Sequence, residues 1–425
     1  MTSSTQLKRK KSFEEINKKI GQGEAKVFTA EEFKKMVRNG ENLTVEDVDV
    51  VTTGTCGLMS GTAIILTITI AERGVFERAE KVWLNGVPAY PGPCPNERLG
   101  IIDVIVYGTS HADEKYGGGH LFRDIVENKN IEARIKTKNG KFLEPEIKFE
   151  DIPFARMFTT RSVYRNYVGL VNPKNSIVKT IFSLLGLKGP LEEVSVCGCG
   201  EINPLENDSS LKTIGINSKV LLNGSIGYVM GEGTRSTKEK PNLSVFAEMR
   251  GMEPKYMGGF NTSAGPECIT SIAIPVPVLD EEILSNLKIL DENIKLPILD
   301  INKRTPFSES DYGKVWQNTD KEISFNRSKF NKEEKSPVEI YCPTNAFQKT
   351  KGIDKRRCFN CGACTYLSPQ KAFKGKLGAI NIKGKEVPIT LRQSNRSRAN
   401  DLCYKLKKLI KNESFKLTPP TPLHL

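Results

Sequence analysis

The run Cys358-Phe359-Asn360-Cys361-Gly362-Ala363-Cys364 places three thiols within seven residues, and this spacing limits the chain more than any other feature. A backbone curled through C-x-x-C-x-x-C aims three sulfurs at three corners of an iron–sulfur cubane while amide N–H groups face its core. A bacterial ferredoxin run would continue with three residues and Cys-Pro, but Ser368-Pro369 stands there instead. Upstream, Cys342-Pro343-Thr344-Asn345-Ala346-Phe347 has the form of the end of such a run, with no triad before it. In two-cluster ferredoxins the Cys-Pro of one run ligates the other cluster, so losing one cluster removes one triad and the opposite Cys-Pro thiol together. The spacing therefore predicts one [4Fe-4S] cluster on Cys342, Cys358, Cys361 and Cys364. The competing readings are a zinc ribbon or a free-thiol loop, although zinc ribbons usually pair C-x-x-C with C-x-x-C.

Ten cysteines stand beside three histidines, and no apolar stretch follows the basic run Lys8 to Lys11. The expectation is a cytoplasmic protein whose thiols are reduced rather than paired. Ala63 to Ala71 is the longest apolar run and falls short of the ~20 residues of a membrane span. The net charge of +13 comes from basic residues dispersed among acids without interleaved aromatics, which argues for a solvated surface and against a nucleic-acid partner. One dense basic run, Lys349 to Arg357, directly precedes the cysteine triad.

Strand-like and helix-like stretches alternate up to about residue 300, which predicts an α/β class with a mixed α+β core. The expected organisation is a core over residues 1–330, a ferredoxin-like insert over 336–376 and a C-terminal strand–helix segment over 377–425. Residues 301–336 read as a polar linker, and 418–425 as a disordered Pro-rich tail. Val82 to Tyr90 and Val220 to Tyr228 share V-x-L-N-G-x-x-x-Y, and each follows a Cys-Gly loop, Cys56-Gly57 or Cys197-Gly198-Cys199-Gly200. Two duplicated halves that bring both loops to one site would explain this; chance recurrence of Asn-Gly turns is the alternative. Gly-rich loops suit thiolate chemistry because backbone N–H groups lower thiol pKa. Cys197, Cys199 and Cys56 are thus candidate catalytic thiols. His120 opens a helix after three glycines and is a candidate acid, with simple capping as its bland role. Arg235, in Gly231-Glu-Gly-Thr-Arg235, is a candidate carboxylate clamp. Cys94, Cys268 and Cys403 read as structural.

Three segments together resemble the homocysteine-biosynthesis protein family of methanogenic archaea. They are Val50-Val51-Thr52-Thr53-Gly54-Thr55, Val82-Trp83-Leu84-Asn85-Gly86 with Tyr116-Gly117-Gly118-x-His120, and Leu221-x-Asn223-Gly224 with Gly227-Tyr228. Ile382 to Pro388 resembles the family's C-terminal segment, and the ferredoxin-like piece between them resembles its methanogenesis-marker metalloprotein branch. The resemblance implies sulfur transfer through a cysteine persulfide onto a small carboxylate-bearing carbonyl such as aspartate semialdehyde, with a sulfide or persulfide donor and a redox partner protein. It adds Thr53, Tyr116 and Gly118 to Arg235 as candidate substrate-binding residues and leaves a homo-oligomer open. Where the family carries a cysteine near Ser60 and another between Arg134 and Pro145, this chain has none. That departure leaves two rivals: sulfur insertion during biosynthesis or modification of a methanogenesis coenzyme, and a non-enzymatic electron-transfer or assembly partner.

Overall fold

A computed structural model describes residues 10–92, 97–330, 336–368 and 371–425; Cys94 lies outside them. The class is mixed α/β, and antiparallel ladders dominate a large sheet of fifteen strands. At its centre Thr62–Thr69 pairs antiparallel with Phe154–Ser162, Ala63 opposite Phe158 and Leu66 opposite Ala155. Outward on one side come Ile101–Tyr107, Val87–Pro91, Ala79–Leu84 and Ile131–Thr137. On the other side come Leu243–Glu248, Ser225–Glu232, Lys219–Leu222 and Gly265–Pro277. Each half therefore repeats one order, a strand, a hairpin and two further strands, with the hairpin seated between the last two strands in space. The two V-x-L-N-G segments are those hairpins. Each turns on an Asn at positive φ (Asn85 at 48°, Asn223 at 50°) followed by Gly86 at 76° or Gly224 at 95°, the left-handed pair that a two-residue hairpin turn demands. The duplication suggested by the repeat is thus matched strand for strand.

Val50–Leu58 extends the second half by pairing along the length of Gly265–Pro277, Val50 opposite Pro277 and Leu58 opposite Ile269. Cys56 therefore lies inside a buried strand rather than in a loop, which corrects the sequence expectation. Helix Arg396–Lys411 packs across both strands through Leu402, Cys403, Leu406 and Ile410, all fully buried. Gly54 permits the approach, since a Cβ there would sit 2.6 Å from Cys403 Sγ.

A second sheet of six strands runs Pro306–Asp311, Lys295–Asp300, Gly169–Val171, Val194–Val196, Lys385–Arg392, Ala379–Ile382. It draws in the stretch read as a linker, where Tyr312, Val315, Trp316 and Ile323 are buried. Polar composition concealed four core anchors spaced too irregularly to show a period. The C-terminal tail is likewise ordered, Thr421 and Ile216 exchanging two backbone hydrogen bonds of 2.8 and 2.9 Å. Among the described residues no helix is long and apolar enough to cross a membrane.

Helix Gly118–Val126 starts hard against the end of strand Ile101–Tyr107, where a Cβ on Gly118 would lie 2.1 Å from the Tyr107 carbonyl oxygen. Backbone cannot yield there as a flexible side chain would. Gly118→Ala is expected to lower stability by about 1–3 kcal/mol, read as a drop in the urea midpoint; an unchanged midpoint would refute the packing role.

Candidate functional site

Strand Val194–Val196 delivers Cys197 into a loop whose conformation is held by hydrogen bonds from four directions. Tyr312 Oη donates to the Cys197 carbonyl at 2.6 Å and accepts the Tyr167 N–H at 3.0 Å. Trp316 Nε1 donates to Gly198 O at 3.2 Å, and Gly198 N–H donates to Ser394 Oγ at 2.8 Å. The Cys197 thiol itself donates to Gln393 Oε1 at 3.2 Å. Gly198 has φ 126°, and a Cβ there would lie 2.4 Å from Tyr312 Oη, so no other residue fits.

The loop ends on a buried ionic knot. Glu201 receives Arg38 at 2.7 and 2.5 Å and Arg396 at 2.7 Å, while Arg396 also reaches Asp291 at 2.5 Å. Burial opposes ionisation of Glu201, but the Arg38 hydrogen bond and the Arg396 charge prevail and hold its carboxyl down to about 2. At Asp291 burial outweighs Arg396, and the pKa is raised.

Cys197 opens into a cavity of about 460 Å³. Its polar walls carry Arg161, Arg235 and Arg304, together with Tyr164, Asn166, Gln393 and Ser394, and its lining contains no Asp or Glu. None of the three guanidinium groups has a carboxylate partner among the described residues, and Arg161 Nε is buried without a hydrogen-bond acceptor. Arg161 lies over the Tyr164 ring at 5.2 Å and Arg304 over Phe182 at 4.4 Å. Arg235 and Arg304 sit on turns at φ 61° and 58°, a backbone region that costs non-glycine residues of order 1 kcal/mol or more and gathers at functional sites. Burial pushes the Cys197 thiol up to about 12, with the nearby Arg304 charge pulling the other way.

The other thiols proposed to share the site face elsewhere. Strand alternation turns Thr55 and Gly57 toward the cavity and Cys56 away from it. Cys199 points into the core under the loop, its Sγ 3.7 Å from both Thr55 Oγ1 and Cys56 O, and is fully buried. Thr53 is also fully buried and donates to Ile274 O at 2.7 Å. Tyr116 donates to Asp124 at 2.8 Å and accepts from Asn85 at 3.1 Å, bracing the first hairpin. His120 takes the Gly117 N–H on Nδ1 at 3.3 Å, stacks on Tyr116 at 5.5 Å and is depressed by burial to about 4. It is the neutral cap of its helix. Thr53, Tyr116, Gly118, His120, Cys56 and Cys199 therefore stand outside the cavity, whereas Cys197 and Arg235 share it. Sequence reading missed Arg161, Arg304 and Gln393. None of the three carried a local signal, since they come from separate parts of the chain.

Cys342, Cys358, Cys361 and Cys364 line one small recess with Ile323, Val338, Phe359 and Leu367. Ala346 N–H donates to Cys342 Sγ at 3.3 Å. Burial raises the pKa of Cys358, Cys361 and Cys364, and each is raised further by neighbouring thiols of the set. Four thiols crowded in an apolar recess ionise readily only beside compensating positive charge, so the donor set fits an iron–sulfur cluster. No three Cys, His, Asp or Glu side chains among the described residues are drawn together closely enough for a single metal ion. The recess is tied to the thiol cavity by one strand end: Cys361 O accepts Arg392 N–H at 2.9 Å, and the next residue, Gln393, accepts from Cys197.

A recess of four thiols lies beside a cavity lined by Cys197 and three arginines, and comparison with known sequences places such a chain among sulfur-handling proteins. Residues 25–417 match the family described as homocysteine biosynthesis enzyme, sulfur-incorporation, and the chain belongs to it. An uncharacterised protein of Methanothermobacter thermautotrophicus is 44% identical over 409 residues, covering 94% of this chain and 93% of that one. Another from Methanocaldococcus jannaschii is 42% identical over 398 residues, covering 93% and 99%. The L-aspartate semialdehyde sulfurtransferase of Methanocaldococcus jannaschii is 33% identical over 309 residues, 68% of this chain but only 58% of the sulfurtransferase. No solved structure matches.

Two outcomes test this geometry. Arg396→Met strands Asp291 in the interior and leaves Glu201 to Arg38 alone, and should cost about 3–5 kcal/mol in urea denaturation; a loss below 1 kcal/mol would contradict the knot's role. Burial lifts Cys197, Cys199 and Cys268 to about 12, 11 and 12 from an ordinary 9.0. A raised folded-state pKa contributes stability that is complete below the unfolded value and is lost as pH climbs. The denaturation midpoint should therefore hold below pH 9.0 and fall toward pH 12, and a profile flat across that range would count against it.

Proposed function

We propose that this protein is a thiol-forming sulfurtransferase in which Cys197 carries sulfur as a persulfide and delivers it to the carbonyl carbon of a small anionic acceptor. The observation that carries the reading is a thiol in the wall of a cavity with three unpaired guanidinium groups and no carboxylate. Membership of a sulfur-incorporation family supports the chemistry. Arg161, Arg235 and Arg304 grip the anionic group, bidentately where geometry allows. Gln393 and the Gly198 loop hold the sulfur toward the acceptor. Turning an aldehyde into its thiol takes up one sulfide, two electrons and two protons and releases one water; delivery from a persulfide takes two further electrons and two protons to part the S–S bond and restore the Cys197 thiol. A [4Fe-4S] cluster on Cys342, Cys358, Cys361 and Cys364, as in the metalloprotein branch, would supply those electrons singly.

The same cavity favours a second reading of the acceptor. Aspartate semialdehyde carries an ammonium group, which three guanidiniums repel and no lining carboxylate offsets. An anionic carbonyl without an amino group suits this site better, as in sulfur insertion during thiol-coenzyme biosynthesis. Succinate semialdehyde differs from aspartate semialdehyde only by that ammonium. Under anaerobic conditions with a low-molecular-weight persulfide, which passes its outer sulfur to the Cys197 thiol and leaves as a thiol, and a low-potential reductant, the deaminated aldehyde should give the higher kcat/KM. Cys197→Ala should abolish thiol formation, and Arg304→Gln should raise KM on the order of tenfold or more. Activity untouched in Cys197→Ala would eliminate the nucleophile, and preference for aspartate semialdehyde would restore the amino-acid acceptor.

A further inference from the structure

Residues 320–376 hold thirteen lysines and arginines against six acids, so more than half of the chain's net +13 is concentrated on this short stretch. Lys332, Glu333, Glu334 and Lys335 cancel one another in that count, and the excess falls on described segments of the chain that supply the four-cysteine recess. Arg327 donates to Lys349 O at 2.6 Å and to Thr350 O at 3.0 Å, tying two basic segments side by side. Lys351 lies exposed on the hairpin turn before strand Gly352–Ile353, and Lys355 and Arg356 lie exposed on the turn leading to Cys358, Arg356 with 84% of its side chain in solvent. The nearby acids offset part of this: Glu127 meets Arg357 at 3.3 Å, Glu322 meets Lys355 at 3.4 Å, Glu31 pairs with Lys321, and Asp354 stands 3.9 Å from Arg356 and 3.8 Å from Arg357, while Lys351 has no acid partner among the described residues. Surface ion pairs of that length leave most of the field intact.

An apolar patch adjoins this charge. Ile340 and Tyr341, immediately before Cys342, are 46% and 44% exposed. Cys342 also borders a groove of about 750 Å³ shared with those two side chains, in which Asp113 and Glu114 balance Lys115 and Lys179. Apolar contacts beside a partner-sized field of one sign are the anatomy of a transient protein interface, where charge speeds encounter and apolar contact fixes the pose.

We propose that this lobe is the docking face for a small acidic electron-transfer protein, which gives up one electron per encounter to the cluster beside Cys342. The proposal rests on the cluster reading above. An acidic surface is what the basic rim attracts, and the patch at Ile340 and Tyr341 brings such a partner to Cys342, which borders the open groove. A nucleic acid would answer to the same charge but has no use for apolar contact next to a buried thiol set.

The test uses the full chain, reconstituted anaerobically with iron and sulfide, and a reduced acidic two-cluster ferredoxin in stopped flow. In K351E/K355E/R356E, ferredoxin-driven bleaching of the cluster should slow by at least about tenfold, and the wild-type rate should fall steeply with added salt. Dithionite, which needs no docking face, should reduce both proteins alike and certifies that the variant is folded and loaded. An unchanged ferredoxin rate in the variant overturns the proposal. So does a variant that loses a labelled tRNA probe while its ferredoxin rate stays intact. A wild-type chain that assembles no cluster defeats the cluster reading instead. Calorimetry of the ferredoxin against that cluster-free chain and the same triple variant would then still read the docking face: charge-dependent binding supports it and none overturns it.

Discussion

Arg396 enters the protein interior from the first turn of the C-terminal helix and there meets Glu201 and Asp291, with all three side chains at most 4% exposed. Arg38, from the end of helix Ala30–Arg38, closes the group from the surface side. Three distant parts of the chain are thus locked to Glu201, the residue that follows the Cys197 to Gly200 loop. Desolvation makes such a knot a poor source of net stability, yet a partially formed one is far worse, and the group enforces one register. Gly200 gives the reason in miniature: it sits at φ 65°, and a Cβ there would land 2.0 Å from Asp291 Oδ1. The loop that aims Cys197 has its shape because the carboxylates beneath it leave no room for another.

Strand Lys385–Arg392 does for the cysteine lobe what the knot does for the loop. Arg392 is almost wholly buried and spends its guanidinium on the carbonyls of Asp320, Val315 and Leu377 at 2.7 to 2.9 Å, stapling the lobe to the core beneath Trp316. Its own N–H holds Cys361, and its neighbour Gln393 holds Cys197. The four-cysteine recess and the Cys197 loop therefore meet across one peptide unit, in a segment that returns to the core only after the lobe has been built.

The thiols were visible in the sequence because metal spacing is local: two intervening residues, repeated, is a pattern any reader can count. The hairpins were visible for the same reason, an Asn-Gly pair at left-handed φ being a property of two adjacent residues. The anion cavity had no such signature. Arg161 ends a central strand, Arg235 follows a hairpin of the second half, and Arg304 rides a turn of the other sheet, so nothing in their spacing links them. At His120 the sequence left an acid and a helix cap both open; the three glycines before it let the helix approach a strand end, and the imidazole caps that helix.

By itself the sequence determined which residue types meet through short-range rules: a four-thiol set, a duplicated hairpin, a basic run beside the cysteines and a Gly-flanked Cys197. Only the tertiary structure decided which way each thiol faces, because strand alternation and a packed core assign direction. It turned Cys197 to the arginine-lined cavity and sent Cys56 and Cys199 inward. It also decided the charge of the site, since long-range pairing consumes arginines such as Arg38 and Arg396 in ion pairs while leaving Arg161, Arg235 and Arg304 unpaired around the sulfur. Composition counts charges; the fold determines which of them are left to bind something else.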